Sequence, residues 1–399
     1  MNNSFHYKHA VPFLAALTLL LLSSTACGDD AIKQQVLKLF PQADIDKDGT
    51  ISETEVAALR QQVLKRYPQA DKDGDGVLSD GEAKAVLRQA ARRAGKSNPK
   101  PRTSPTNGSK QPTHANVQYG EHERQVFDIW LADSSKPTPL AIYIHGGGFK
   151  SGSKEKLKSE NLSQLLESGI SVAAINYRLL TTHPLPTAHH DARRALQFMR
   201  AKAGDWNIDK ERVAAFGGSA GAQICMWLAF TDEMAQPESS DPIERESTRL
   251  TCVASAGGQT GNSPEFWQAM IGPFLGGKSI ESLAKPLNGE TEAQKIALKQ
   301  WGASTVEEAK EISSRHAALN TISADDPPIF MSYGMKPTDK PPTDPAKLRG
   351  WLIHHVNLGL ALKEKTDQLN VEAHLNYPGA DVKYDSLVEF FVDKLVNEQ

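Results

Sequence analysis

From residue 139 onward the chain alternates short apolar runs with polar turns. The run P-L-A-I-Y-I at residues 139–144 reads as a buried strand, and comparable spans recur at residues 213–216, 250–255, 329–333 and 371–376. Residues 222–230 follow a turn and stay apolar for longer, which predicts a helix. Upstream the pattern changes character. Residues 96–116 are rich in Pro, Ser, Thr, Lys and Asn, the composition of an extended linker, and the helical stretch at residues 83–94 before them stops at Gly95. At the N-terminus, Lys8 and two histidines precede an apolar run at residues 10–22 and then small residues. That is the arrangement of a signal peptide over residues 1–26, and it is too short to span a membrane.

Two glycine-rich junctions carry the candidate chemistry. The strand at residues 213–216 empties into G-x-S-x-G, with Gly217, Ser219 and Gly221. Such a turn places a serine on a strained strand-to-helix bend, its hydroxyl raised at a helix N-terminus where developing negative charge is favoured. The strand at residues 139–144 empties into H-G-G-G-F at residues 145–149. Glycines without side chains can aim backbone N–H groups at a substrate oxygen, so Gly147, Gly148 and Ala220 are the candidate oxyanion donors. A flexible glycine turn would explain either junction alone; the two in this order point to acyl transfer.

The segment at residues 28–95 repeats itself. F-P-Q-A-D at residues 40–44 returns as Y-P-Q-A-D at residues 67–71, each opening an aspartate-rich loop of EF-hand pattern. The first would ligate through Asp44, Asp46, Asp48, the Thr50 carbonyl, Ser52 and Glu55; the second through Asp71, Asp73, Asp75, the Val77 carbonyl, Ser79 and Glu82. Oxygen-only donors suit Ca2+, one ion per loop, better than Mg2+ or zinc. The short separation of the loops favours structural calcium over a switch.

Residues 117–399 resemble the α/β-hydrolase fold, in particular the hormone-sensitive-lipase-like and bacterial feruloyl-esterase-like carboxylesterases. The resemblance rests on H-G-G-G-F at residues 145–149, N-Y-R at residues 176–178, D-A-R-R-A at residues 191–195, D-K-E-R-V at residues 209–213, G-G-S-A-G at residues 217–221 and D-D-P-P at residues 325–328. It implies an α/β fold with a mostly parallel, doubly wound sheet, which the small all-α EF-hand pair read from residues 28–95 would precede. It also implies a serine esterase whose triad follows in the order Ser, acid, His. For the acid the loop after residue 334 offers Asp339 and Asp344, and the resemblance favours Asp339.

The histidine is where the chain departs from the pattern. After the strand at residues 371–376 comes Y-P-G-A-D-V-K, and no histidine follows His374. Asp381 and Lys383 there cannot do a neutral imidazole's work without large pKa shifts. His354 and His355 are expected to begin the helix after the acid loop, where either could serve as a displaced base. His374 reads as packed in its strand, His189 and His190 lie near another helix start, and His316 has no assigned role. Two functions stay open: an exported serine carboxylic-ester hydrolase with a relocated base, or a hydrolase-shaped binding protein that has lost turnover and uses the calcium module for docking.

Composition narrows the partners. A formal net charge of −3 with no basic stripe argues against nucleic acid. Cys27 follows S-T-A, so cleavage at a lipoprotein site, with a lipid anchor on Cys27, and cleavage by an ordinary signal peptidase both remain open. Either places the protein in the cell envelope, the periplasm or the medium. Cys225 and Cys252 read as buried free thiols. An insertion before residue 325 carries Phe266, Trp267, Phe274 and Trp301, candidates for a lid or acyl pocket over a small or carbohydrate-linked acyl ester.

Overall fold

The computed structural model describes residues 46–50, 52, 54–55, 76, 110–276 and 290–397. The expected signal peptide, Cys27, the helix at residues 83–94 and the ligands Asp44, Asp71, Asp73, Asp75, Val77, Ser79 and Glu82 lie outside these residues. Two compact units divide the chain, Met1–Gly108 and Ser109–Gln399.

The second unit is built on one eight-stranded sheet. Its strands are β1 (His114–Gln118), β2 (Val126–Trp130), β3 (Thr138–Ile144), β4 (Ser171–Ile175), β5 (Ile208–Gly218), β6 (Cys252–Ala256), β7 (Ile329–Ser332) and β8 (Ala373–Asn376). They lie in the order β1-β2-β4-β3-β5-β6-β7-β8. β1 and β2 run antiparallel at one edge, and β4 through β8 pair in parallel. Strand β1 begins at His114, inside the segment read as linker, because its backbone finds β2 as a partner; composition alone could not reveal that pairing.

Parallel strands joined by helices are covered on both faces, which is why the central runs carry so little polarity. Alternation along β5 shows it: Val213 and Ala215 enter one core while Ala214 and Phe216 enter the other. Helix α1 (Ser159–Glu167) connects β3 to β4, and α2 (Pro186–Ala201) connects β4 to β5. Helix α3 (Ala220–Phe230) follows β5 and is buried along almost its whole circumference, only Gln223 being partly exposed. It is therefore a core helix, and its apolar run needs no amphipathic spacing.

The insertion between β6 and β7 folds as α4 (Pro264–Ile271), α5 (Glu290–Trp301), α6 (Val306–Arg315) and the single turn α7 (Ala318–Thr321). After β7 come α8 (Pro345–His354) and α9 (Asn357–Leu369), and after β8 comes α10 (Leu387–Val392). One expectation is corrected here. His354 does not begin a helix but ends α8, and His355 lies in the junction before α9. The periodicity of residues 345–369 is broken by that junction, which brings the end of α8 to the loop after β6.

Candidate active site

Ser219 stands between β5 and α3 with φ 55° and ψ −119°, a conformation that costs a non-glycine residue on the order of 1–3 kcal/mol. Hydrogen bonds on both sides hold it there: its N–H donates to the Ala256 carbonyl at 2.9 Å, and its carbonyl accepts from the Gln223 N–H at 3.1 Å. Close packing explains the flanking glycines. A Cβ on Gly217 would lie 2.4 Å from the Ile144 carbonyl oxygen, and one on Gly221 only 2.0 Å from the same atom. The end of β3 thus presses directly on the elbow.

The H-G-G-G-F loop leaves β3 at this point. A Cβ on Gly146 would meet the Gly218 carbonyl oxygen at 2.5 Å and the Ser219 Cβ at 3.5 Å, so the loop lies against the serine. Gly147, Gly148 and Phe149 all have positive φ, at 128°, 60° and 59°. The Gly147 carbonyl accepts from the Lys150 and Ser151 N–H groups at 3.1 and 3.2 Å, which closes the turn. Gly148 is exposed, with open space where a side chain would stand. Ala220 is the first residue of α3, whose opening N–H groups have no partner within the helix.

His145 is fully buried and anchors this loop. Its ring stacks on Tyr177 with centroids 4.1 Å apart. Nδ1 lies 2.9 Å from the Gly146 carbonyl, which can only accept; Nδ1 therefore carries the proton and Nε2 accepts from Arg124 Nη2 at 3.3 Å. Burial pushes its pKa down to about 4, against the Gly146 carbonyl's opposing pull, so His145 is neutral near pH 7. Arg124 also donates to the carbonyls of Tyr177 and Gly152, and the Tyr177 hydroxyl donates to the His145 carbonyl. Arg178 and Asp191, from two of the resemblance motifs, pair at 2.6 Å with Asp191 buried, and Gln125 Nε2 donates to the same carboxylate. These two motifs are thus joined to each other and to the turn that carries Arg124 and Gln125. Sequence reading missed Arg124, which lies in a polar turn with no local signal.

The two histidine candidates separate by environment. His355 is buried against the rings of Phe274 and Trp351, and burial lowers its pKa. Its Nε2 lies 3.4 Å from the Asp339 carbonyl, and its Nδ1 accepts from the Asn357 N–H at 3.3 Å, so both ring nitrogens are engaged. His354 is half-buried, and its Nδ1 lies 2.9 Å from the carbonyl of Gly257, the residue next to Ala256. Ser219 and His354 are therefore bound to consecutive carbonyls at the end of β6.

The Asp339 carboxylate accepts from the Lys336 N–H at 2.9 Å; the Asp339 backbone oxygen lies 3.4 Å from His355 Nε2, and the charge of Asp339 also favours the protonated form of that ring. Asp344 is exposed just ahead of α8. After β8 the chain turns back: Asn376 Nδ2 donates to the Asp385 carbonyl, and Tyr384 packs on His374 and Phe390 in the second core. Asp381 is exposed there, and bonding to Tyr384, reinforced by Asp393, raises the pKa of Lys383. His374 bonds Glu372 at 2.7 Å within its packed strand, as expected. His189 is buried between Phe149 and Trp227 and touches His316, while His190, the fifth residue of α2, is exposed. Cys225 and Cys252 are both buried, as expected.

A cavity of about 690 Å³ is lined by Trp227, Phe230, Trp301, Ile312 and His316 among others, and Ser219 is not in its wall. Trp227 lies roughly 12 Å along α3 from Ser219. A second, shallower cavity of about 540 Å³ includes Asp339, Lys347 and Trp351. Of the insertion's aromatics, Phe266 and Trp267 pack on the main core, Phe274 covers His355, and Trp301 walls the larger cavity.

In the first unit, Glu55 is buried and accepts from the Ser52 N–H and hydroxyl at 2.8 and 2.9 Å, while Asp48 accepts from the Thr50 N–H at 2.7 Å. Gly49 and Gly76, the sixth residue of each loop, have φ of 83° and 77°. The turn and the all-oxygen donor set of the first loop fit a hard cation. Among the described residues no three His, Cys, Asp or Glu side chains come together as a metal site; Asp44, the first of the expected ligands, lies outside them.

The BD-FAE family model matches residues 127–352, more than half of the 399-residue chain. The chain is similar to the probable carboxylic ester hydrolase LipM of Mycobacterium tuberculosis, 26% identical over 224 residues covering 55% of this chain and 46% of that protein. It is also similar to esterase LipC of the same organism, 30% identical over 132 residues covering 31% of this chain and 33% of that protein. The chain thus spans half or less of these curated relatives. Among solved structures, a truncated carbohydrate esterase from gut microbiota aligns with a TM-score of 0.52 at 17% identity over 72% of this chain and 99% of that one. The bifunctional GH43-CE protein of Bacteroides eggerthii aligns with a TM-score of 0.51 at 16% identity over 71% of this chain and 38% of that one. At such identities these two alignments establish the fold.

Proposed function

Because the chain belongs to the BD-FAE family, we propose that Ser109–Gln399 is a serine carboxylic-ester hydrolase acting on an acyl ester, small or carried on carbohydrate. Ser219 is the nucleophile, His354 the general base, and the N–H groups of Gly147, Gly148 and Ala220 form the oxyanion hole. The observation that carries this reading is the tethering of Ser219 N–H and His354 Nδ1 to the adjacent carbonyls of Ala256 and Gly257, each at 2.9 Å. With Nδ1 protonated, Nε2 holds the free lone pair that a base needs.

The reaction follows from these parts. His354 Nε2 takes the Ser219 hydroxyl proton as Oγ attacks the ester carbonyl carbon. Negative charge moves to the former carbonyl oxygen, where the loop and helix N–H groups stabilise it. The imidazolium returns the proton to the departing alkoxide, leaving an acyl-serine. Water, deprotonated by the same nitrogen, then releases the acid and restores Ser219. Asp339 is left out of this reading, since the hydrogen bonds of its carboxylate and backbone run to Lys336 and His355 while His354 Nδ1 is held by the Gly257 carbonyl.

Hydrolysis of p-nitrophenyl acetate tests it. Ser219→Ala and His354→Ala are expected to lose at least about 10³-fold in turnover, while folded His355→Ala keeps it. A parent protein no faster than Ser219→Ala would make this a hydrolase-shaped binding protein instead. Loss in His355→Ala with full turnover in His354→Ala would move the base to the other histidine.

For the first unit we propose two structural Ca2+ sites, one per EF-hand loop. Asp44, Asp46, Asp48, Thr50, Ser52 and Glu55 would hold one ion, and the corresponding residues of the second loop the other.

A further inference from the structure

A serine hydrolase ordinarily holds its histidine with a carboxylate, which fixes the tautomer and stabilises the imidazolium. Here the group at Nδ1 of His354 is a main-chain carbonyl. We infer that the Gly257 carbonyl takes the carboxylate's orienting role and that Gln259 is the positioning residue that locks it to His354. The inference rests on the assignment of His354 as base.

The geometry is a clamp. Gln259 Nε2 donates to the Ile353 carbonyl at 2.5 Å and to the Gly257 carbonyl at 3.1 Å, and lies 3.4 Å from His354 Nδ1. A carbonyl accepts only, so the imidazole N–H and the amide N–H converge on one oxygen, and the 3.4 Å approach is between two donors sharing it. Ile353 sits in the last turn of α8, where carbonyls lack intrahelical partners. A single amide group therefore caps the helix that carries the base and pins the oxygen that orients it.

Gly257 is suited to this role for two reasons. Its φ is 57°, which turns the chain sharply after β6, and a Cβ there would stand 3.1 Å from His354 Nδ1. The segment around it is fixed residue by residue. The Gly257 N–H donates to the Ser332 carbonyl at 2.8 Å, the Tyr333 hydroxyl to the Gly258 carbonyl at 2.6 Å, and the Thr260 hydroxyl to the Leu358 carbonyl at 2.6 Å. Rigid support of this kind lets an uncharged acceptor hold an imidazole in one orientation. Because a carbonyl brings no full charge, it stabilises the imidazolium less than a carboxylate would.

The test uses the full chain and p-nitrophenyl acetate, with Gln259→Leu, Gln259→Glu and His354→Ala beside the parent. Gln259→Leu keeps the volume and removes both donors; it is expected to lower kcat about 10- to 100-fold with KM changed less than about twofold. Gln259→Glu places a carboxylate beside Nδ1, and the acid limb of the kcat/KM profile is expected to move up by about one pH unit. A side chain at this position that did not lie against the base would not move that limb. Unchanged kcat in Gln259→Leu, or an unmoved limb in Gln259→Glu, while His354→Ala is inactive, overturns the clamp alone. Parental turnover in His354→Ala removes the base assignment and the clamp with it.

Discussion

Ser219 keeps its strained backbone because hydrogen bonds to Ala256 and Gln223 hold it and the glycines on either side pack against the end of β3. The Ile144 carbonyl oxygen would lie 2.0 Å from a Cβ on Gly221 and 2.4 Å from one on Gly217, so the G-x-S-x-G spacing is a steric requirement of the strand beside it. A backbone oxygen cannot swing aside as a side chain can. Gly221→Ala is therefore expected to destabilise the second unit by at least about 3 kcal/mol. Urea unfolding followed by tryptophan fluorescence reads this unit alone, since all six tryptophans lie between Trp130 and Trp351. A midpoint within error of the parent would show that the elbow has slack. Gly148, by contrast, has open space at its Cβ position; its positive φ of 60° still favours glycine there.

At the scale of elements, the H-G-G-G-F loop is held by a braced histidine rather than by its own turn. His145, stacked on Tyr177 and fed by Arg124, joins the end of β3 to the end of β4. Burial lowers its folded pKa from 6.5 to about 4, so the unfolded chain binds the proton first as pH falls. The sign follows directly: this contribution is intact above about pH 6.5 and is lost progressively between pH 6.5 and 4. The drop amounts to about 3 kcal/mol at 1.36 kcal/mol per pH unit. Fluorescence-detected urea unfolding at pH 7 and pH 4.5 should show the parent losing more stability than His145→Gln over that interval. Equal losses would mean that His145 does not carry the proton linkage. The junction between α8 and α9 is a second element-level device, turning a histidine of the helix end toward the loop after β6.

At the scale of the whole molecule, the two units answer to different chemistry. The second unit's sheet order and helix placement leave the strand ends of β3, β5, β6 and β7 together, where Ser219, the glycine loop and His354 gather. In the first unit Glu55 and Asp48 already accept from their own loop, and positive-φ glycines stand at the sixth position of both loops. Isothermal titration of the full chain with Ca2+ is expected to give two sites, and Glu55→Gln is expected to leave one. No binding in the parent, or two undiminished sites in the variant, would remove the calcium assignment. Turnover of p-nitrophenyl acetate should be equal in calcium and in chelator if the ions are structural only.

The sequence by itself determined the parts whose chemistry is local. Burial on both faces makes residues 139–144 and 213–216 apolar without interruption, sterics require glycine on both sides of Ser219, and the proposed oxyanion donors Gly147 and Gly148 need bare backbone; each leaves a mark in consecutive residues. Tertiary structure alone decided which distant groups meet. Nothing in residues 345–369 says that a helix ends at His354 and not beyond it, because that break depends on packing against the loop after β6. Gly257, Gln259 and Arg124 carried no motif, since their roles arise from partners 97, 94 and 21 residues away in the chain. A main-chain carbonyl in place of a carboxylate is invisible in principle to a reading of side chains, as every residue possesses one. Asp339 attracted attention for its side chain, yet the structure uses that carboxylate to close a local turn.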